Sequence, residues 1–221
     1  MKVYPSSYTL LNHEDGKVVP IAKSERPNLN THLFKNDAQF DHIFPEHFQL
    51  LSPKHWTPLS VAREAANFLA EPSARVLDIG SGIGKFCLAA GYYFPETFFY
   101  GVEQRHELIC LAEEAKAYTT LHNVNFVFGN ITQIDFKEFD HFYFYNSFYE
   151  NVDQENQIDG TIELSESLYT YYNQYLYNAL NQKPEGTRVV TFHSLAQEIP
   201  PSYKLVRASK DALLKKWIKA I

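Results

Sequence analysis

Glycine, carboxylate and amide residues that could hold a nucleotide-like ligand each follow an apolar run in this chain. Gly80, Gly82 and Gly84 come after residues 76–79, Glu103 ends the run 98–103, and Asn146 ends an aromatic run. Glycine permits positive φ and close approach, and a carboxylate can accept hydrogen bonds from two ribose hydroxyls. A strand, a glycine turn, a helix and a strand ending in an acid are typical of the nucleotide-binding half of a doubly wound α/β fold.

The spacing of the glycines argues against two common kinds of nucleotide site. A dinucleotide-binding turn has its third glycine inside the helix, where this chain has Lys85, and Asp78 would face a pyrophosphate without a counter-charge. A Walker loop needs one more residue before the lysine, and Phe86 replaces the hydroxyl residue that binds magnesium. Asp78 could instead hold an ammonium-bearing ligand, which leaves S-adenosylmethionine as the candidate cofactor.

Residues 77–84, Leu-Asp-Ile-Gly-Ser-Gly-Ile-Gly, resemble the first motif of the class I S-adenosylmethionine-dependent methyltransferases. The resemblance continues in order through residues 101–103, 124–131 and 142–149. It implies that Glu103 binds the ribose, that Asn130 accepts from the adenine amino group, and that Ile131 lies on the adenine ring. The cofactor-binding residues that it implies are Thr57, Asp78, Gly80, Ser81, Gly82, Gly84, Glu103, Gln104, Asn130, Ile131 and Asn146.

Two short motifs narrow the resemblance within that superfamily. Residues 101–103 (Gly-Val-Glu) and 145–148 (Tyr-Asn-Ser-Phe) are most similar to the nucleosomal-lysine methyltransferases of the disruptor-of-telomeric-silencing type and their bacterial relatives. This resemblance implies an amine-bearing acceptor, a protein lysine or a small molecule, with Asn146 and Tyr149 as catalytic residues. An upstream threonine of those enzymes reaches the amino-acid end of the cofactor, and Thr57 matches it, although Thr57 could equally cap the helix that follows it.

Other functions stay open at this stage. The chain could be a small-molecule N- or O-methyltransferase, a cofactor-binding protein without turnover, or an oxidoreductase if the glycine turn is misleading. Nucleic acid is disfavoured as a partner, because no proline pair follows Asn146 and the net charge is -6 with a pI of about 5.8.

Acidic residues are concentrated after the fourth predicted strand. Residues 138–182 contain no Lys or Arg but eight Asp or Glu. Glu150, Asp153, Glu155 and Asp159 are expected at the carboxyl edge of the sheet, where they would attract a cationic acceptor or merely be solvated. The segment from Lys183 onward carries eight Lys or Arg, which could touch an acidic partner or be solvated on a hairpin.

The alternation of apolar patterns predicts a Rossmann-like, doubly wound sheet of seven strands with an antiparallel C-terminal hairpin. Helices are predicted at about 57–70, 85–93, 107–121 and 163–180, and the last three strands at about 187–193, 203–209 and 213–221. Residues 1–55 are predicted to form an extension of short helices that covers the site, and residues 56–221 to form the methyltransferase domain.

Composition places further bounds on the protein. With 45% hydrophobic residues over 221 positions, the chain can bury one sizeable core. Cys87 and Cys110 are predicted to be buried helical thiols in a reducing compartment, and no stretch approaches the ~18 apolar residues of a membrane span. His42, His47 and His55 lack the spacing of a metal site. We therefore expect a cytoplasmic protein that binds neither metal nor membrane.

Overall fold

The computed structural model describes residues 32–220. One mixed sheet of seven strands runs through this part of the chain, with helices on both faces. The α-helices are α1 (Asp37–Asp41), α2 (Glu46–His55), α3 (Leu59–Leu69), α4 (Lys85–Tyr93), α5 (His106–Thr119) and α6 (Glu166–Asn181). The strands are β1 (Arg75–Ile79), β2 (Phe98–Glu103), β3 (Val124–Phe128), β4 (His141–Tyr145), β5 (Arg188–Phe192), β6 (Tyr203–Ala208) and β7 (Leu214–Lys219). Short 3-10 helices lie at Ile131–Gln133, Phe136–Glu138, Tyr149–Asn151, Gln154–Asn156 and Ala196–Glu198.

The strand order is β3-β2-β1-β4-β5-β7-β6, which confirms the predicted fold class. The first five strands in the chain are parallel, whereas β7 is antiparallel to both β5 and β6. The order reverses between β1 and β4, so the crevice at this switch point opens at the carboxyl ends of the two central strands. The sheet thus brings the residues that follow β1, β2, β3 and β4 to one edge.

Two apolar clusters hold the helices on the sheet. Alternate side chains of β1 point to opposite faces, so that Val76 packs with α3 and α4, and Leu77 and Ile79 pack with α6. Ser165 caps α6 by accepting a hydrogen bond from the backbone N–H of Leu168 at 3.3 Å. The apolar face of α6 therefore lies at a fixed position beneath the switch point.

The N-terminal extension contains two short helices that join the main core. Phe40, Phe44 and Phe48 from α1 and α2 are buried in the same apolar cluster as α3 and α4. Lys85 at the start of α4 holds them electrostatically, with its Nζ 2.8 Å from Asp37 and 2.7 Å from Asp41. Residues 1–31 of the predicted extension lie outside the described residues, and the domain division at residue 55 stays a prediction.

Two local predictions are wrong. Thr57 does not cap α3, because the helix starts at Leu59 and the backbone N–H of Leu59 binds Oδ1 of Asp37 at 2.9 Å. Cys87 is buried, as predicted, but Cys110 is exposed on the solvent side of α5, where its sulfur lies 3.6 Å from Nδ1 of His106.

No helix between residues 32 and 220 has the length and apolarity to cross a membrane.

Candidate active site

A cleft of about 510 Å³ opens at the carboxyl edge of the sheet. Residues that follow β1, β2, β3 and β4 line it, together with residues 53–57 from the end of α2 and the start of the next connection. Every residue predicted for the site lines this cleft except Gly84. Their role in binding a cofactor or acceptor stays a prediction.

The three glycines after β1 leave room for neighbouring side chains of the protein itself. A Cβ on Gly80 would lie 2.4 Å from Cβ of Ser147, and one on Gly82 would lie 2.5 Å from the ring of Trp56. A Cβ on Gly84 would lie 2.3 Å from the ring of Phe126, away from the cleft. Each glycine therefore packs closely against a different part of the chain. All three have positive φ, as the sequence suggested, whereas the close approach predicted for a ligand is made by side chains of the protein.

Two carboxylates lie at the floor of the cleft. Burial and the nearby charge of Glu103 raise the pKa of Asp78 to about 8, and among residues 32–220 its side chain accepts one hydrogen bond, from the thiol of Cys87 at 3.6 Å. Burial also raises the pKa of Glu103, while the charge of Arg105 and neighbouring backbone N–H groups, two of which donate to the carboxylate, oppose the shift. These donors are Gly82, at 3.1 Å from Oε2, and Arg105, at 2.9 Å from Oε1.

Polar groups predicted for the adenine end form a connected network. The Asn130 side-chain oxygen accepts from the backbone N–H of Thr132 at 3.0 Å and so caps a 3-10 turn. Its amide nitrogen donates to Gln104 at 3.0 Å and to the Tyr172 hydroxyl at 2.8 Å. The oxygen expected to accept from adenine thus already serves the turn. Tyr172, from the distant helix α6, had no sequence signal that linked it to the site.

The exits of β4 and β5 carry two strained residues that face the cleft. Asn146 has φ 41° and His193 has φ 55°, both in the left-handed region that non-glycine residues rarely adopt. Among residues 32–220 the Asn146 side chain makes no hydrogen bond, and Tyr149 is 47% exposed at the rim. Backbone strain of this kind often accompanies functional sites. Asn146 therefore presents an uncommitted amide at the point where the cleft meets solvent.

The segment 53–57 covers the cleft from the other side. Thr57 Oγ1 lies 3.0 Å from the hydroxyl of Tyr143, and the Tyr145 hydroxyl donates to the carbonyl of Lys54 at 2.9 Å. These two strand tyrosines fix the segment against β4, and Trp56 lies over Gly82. Lys54 in turn donates to Asn156 on the opposite rim.

Two of the acids after β4, Glu150 and Asp159, are paired with a cation, so their predicted attraction for a cationic acceptor is weakened and stays a prediction. Arg105, 5% exposed, lies 3.0 Å from Oε2 of Glu150 and 3.1 Å from Oδ1 of Asp159. Residues 138–182 contain eight acids and no Lys or Arg, so any ion-pair partner of these acids has to come from elsewhere in the chain. That signal did not identify Arg105, which the site predictions missed.

The cleft fits S-adenosylmethionine in charge and in hydrogen-bonding groups. Asp78 is a buried acid without an ion pair among the described residues, and it would face the ammonium of the cofactor. The buried hydroxyl of Ser81 lacks a hydrogen-bond partner within residues 32–220, although it borders the same space. Glu103 retains lone pairs beyond those that its two backbone donors use. Within the described part of the chain, no three His, Cys, Asp or Glu side chains form a group that could hold a metal.

The fold and this cleft place the protein in the class of methyltransferase domains. Residues 70–213 match the family model of the methyltransferase domain, and the chain belongs to that family. The structure is similar to TrmN from Thermus thermophilus, with TM-score 0.53 and 19% identity over 76% of this chain and 50% of that one. It is also similar to an RNA methyltransferase from Salinibacter ruber in complex with S-adenosylhomocysteine, with TM-score 0.52 and 20% identity over 74% of this chain and 92% of that one.

Sequence similarity points to one group of curated relatives. The chain is 32% identical over 113 residues to a tRNA (guanine-N(7)-)-methyltransferase from Synechococcus sp. (strain JA-3-3Ab), a match that covers 51% of this chain. The matched part is 42% of that relative, so less than half of its length is covered. These comparisons support the methyltransferase class and do not show the narrower resemblance to nucleosomal-lysine enzymes.

Proposed function

We propose that the protein transfers the methyl group of S-adenosylmethionine to a nitrogen of a nucleobase in RNA. The observation that carries the proposal is the pairing of Glu150 and Asp159 with Arg105 beside the acceptor side of the cleft. Arg105 offsets one of the four negative charges of Glu150, Asp153, Glu155 and Asp159 and holds two of these carboxylates in ion pairs, which weakens the attraction for a cationic lysine. The similarity to tRNA (guanine-N(7)-)-methyltransferases supports the same class of acceptor.

The acceptor side of the cleft suits a flat, polar-edged molecule. Tyr145, Phe148 and Tyr149 supply aromatic surface, and the uncommitted Asn146 amide supplies one donor group and one acceptor oxygen. A base stacked on aromatic side chains gains about 1–3 kcal/mol per base. Stacking fixes the plane of the base, and the amide selects which edge faces the methyl group.

The reaction needs positioning more than it needs proton transfer. Bound S-adenosylmethionine supplies an electrophilic methyl group, which in-line displacement transfers. In our proposal Asp78 holds the amino group of the cofactor, Glu103 binds the ribose hydroxyls, and Asn146 orients the acceptor. Correct orientation of the two reactants can contribute about 7–11 kcal/mol to the lowering of the barrier. A ring nitrogen that carries no hydrogen presents a free lone pair, so such an acceptor requires no general base.

A second candidate is an amine acceptor, either a protein lysine or a small molecule, as the sequence suggested. It is favoured by two histidines that line the cleft, since an amine must lose a proton before it can attack. Burial lowers the pKa of His55 and of His193, which keeps both imidazoles neutral and able to accept a proton near pH 7.

The test is methyl transfer from S-adenosylmethionine carrying a labelled methyl group to bulk tRNA and, in parallel, to a lysine-rich peptide. We expect label in tRNA, released by nuclease digestion as a methylated nucleoside whose mass identifies the base. N146A should lower turnover and leave the affinity for S-adenosylhomocysteine unchanged, whereas E103Q should weaken that affinity. E96Q, a change on the exposed surface, serves as the control. Label in the peptide alone would favour the amine reading.

A further inference from the structure

Arg105 connects the cofactor side of the cleft to the segment that follows β4. Its backbone N–H donates to Oε1 of Glu103 at 2.9 Å. The guanidinium spans both oxygens of Glu150, with Nη1 3.0 Å from Oε2 and Nη2 3.2 Å from Oε1. The Nε atom donates to Oδ1 of Asp159 at 3.1 Å. One buried side chain therefore binds two carboxylates that lie 45 and 54 residues further along the chain.

Both carboxylates also accept hydrogen bonds from within the segment 149–161, which we call the acceptor flap. Glu150 Oε1 accepts the backbone N–H of Ile158 at 2.6 Å. Asp159 Oδ1 accepts the backbone N–H of Thr161 at 2.9 Å and its hydroxyl at 2.8 Å. Since Glu150 and Ile158 line the cleft, these bonds determine where the flap lies over it. Arg105 is the common partner of both turns.

We propose that Arg105 is a positioning residue that seats the acceptor flap over the site of methyl transfer without touching the acceptor. The planar fork of arginine suits this role, because it can bind one carboxylate in a bidentate manner and a second through Nε. A lysine has a single ammonium and cannot match both geometries. The inference rests on the proposed function only in that the flap is taken to border the acceptor.

Hydrogen–deuterium exchange of the native protein, R105K and R105Q tests the proposal without any acceptor. We expect exchange in the flap to rise about tenfold or more in R105Q and by less in R105K, with exchange in β1 unchanged. The affinity for S-adenosylhomocysteine should stay within about threefold, because the backbone N–H of residue 105 still binds Glu103 in every variant. Unchanged exchange of the flap in R105Q would overturn the proposal, as would a loss of affinity as large as that in E103Q.

A double variant, a control variant and a kinetic assay complete the test of Arg105. If R105Q does not fold, the double variant E150Q/D159N removes the partner charges instead and must also speed exchange in the flap; unchanged exchange there overturns the proposal. R207Q, a change at an exposed arginine on β6, is the matched control and should leave the flap unchanged. With bulk tRNA as acceptor, R105Q should lower kcat and leave the KM for S-adenosylmethionine unchanged. If the native protein labels no tRNA, the proposed function fails while the exchange data still decide the role of Arg105.

Discussion

The buried position of Asp78 lowers the stability of the ligand-free protein and favours the binding of a cationic ligand. Its carboxyl is buried beside Cys87, and burial together with the charge of Glu103 raises its pKa to about 8. An acid whose pKa is raised in the folded state binds a proton that the unfolded chain releases. Stability from this group is therefore complete below the unfolded pKa of 3.8 and falls as pH rises toward 8. A cation bound beside Asp78 would reverse that loss.

The first prediction is that D78N raises the stability of the ligand-free protein and lowers its affinity for the ligand. The amide carries no charge, so the free variant should melt several degrees above the native protein at pH 8 and equal it at acidic pH. The variant should also lose most of its affinity for S-adenosylhomocysteine, because the ligand ammonium loses its counter-charge. Thermal melting with and without that ligand, at several pH values, measures both effects. E96Q, on the exposed surface, should change neither, and a D78N protein that binds normally would refute the assignment.

At the scale of elements, the glycine turn packs against three other parts of the protein. Gly80 admits Ser147 after β4, Gly82 admits Trp56 from the segment before α3, and Gly84 admits Phe126 from β3. Gly84 also has φ 78°, where it precedes α4. The turn therefore serves as a packing centre as well as a border of the cleft.

The second prediction concerns Gly84 and its neighbour Phe126. G84A should lose about 2–4 kcal/mol of unfolding free energy, since a left-handed alanine is strained and its Cβ meets the phenyl ring at 2.3 Å. F126L should relieve the clash and leave the strain, so the double variant should lose less than the sum of the single losses. G186A is the matched control, with φ 85° and no atom within 4 Å of the added Cβ. Additive losses in urea denaturation would contradict this account.

The third prediction concerns the anchor of α1 and α2. Lys85 is 2% exposed and contacts Asp37, Asp41 and the hydroxyl of Ser52. K85M leaves Asp41 buried without its partner, which should cost about 3–5 kcal/mol. The triple variant K85M/D37N/D41N removes the stranded charges and should recover most of the loss. Urea denaturation followed through tryptophan fluorescence measures it, and a triple variant as unstable as K85M would refute the charge argument.

Local patterns explain which elements the sequence predicted correctly. Strands β1 and β2 and helices α4 and α5 follow from apolar runs separated by a glycine turn, all of which lie within a short stretch of chain. The contacts that were missed join distant residues: Lys85 and Asp41 are 44 residues apart, and Arg105 and Asp159 are 54 apart. Cys110 looked buried because it lies on a helix that flanks the sheet, and only the orientation of α5 places it in solvent. Pairing at such separations is not readable from periodicity.

At the scale of the whole molecule, many cations of the C-terminal part serve the fold. Lys183 donates to the carbonyls of Phe136 and Phe139 at 2.9 and 2.7 Å, and Lys219 donates to the carbonyl of Asn181 at 2.6 Å. Lys216 pairs with Glu64 at 2.9 Å. The predicted hairpin of solvated lysines is therefore only partly solvated. Lys204, Arg207 and Lys210 stay exposed and lack an ion pair among residues 32–220.

The fourth prediction is a weak dependence of RNA binding on salt. If the three exposed hairpin cations supply the phosphate contacts, the slope of log affinity against log salt should be about -2 to -3. Filter binding of bulk tRNA between 50 and 200 mM salt, at concentrations chosen for the assay, should then show a loss of about 15- to 65-fold. K210Q should reduce the slope by about one, and K137Q, away from the hairpin, should leave it unchanged. A much steeper slope would indicate a phosphate-binding surface elsewhere.

The docking of α1 and α2 on Lys85 also affects the order in which the chain folds during its synthesis. These helices leave the ribosome before α4 does, so the rings of Phe40, Phe44 and Phe48 have no core to enter at that time. Their burial must wait until the strand-and-glycine unit behind them has emerged and folded. During that interval the nascent protein displays the aromatic side chains of α1 and α2, a surface of the kind that chaperones bind.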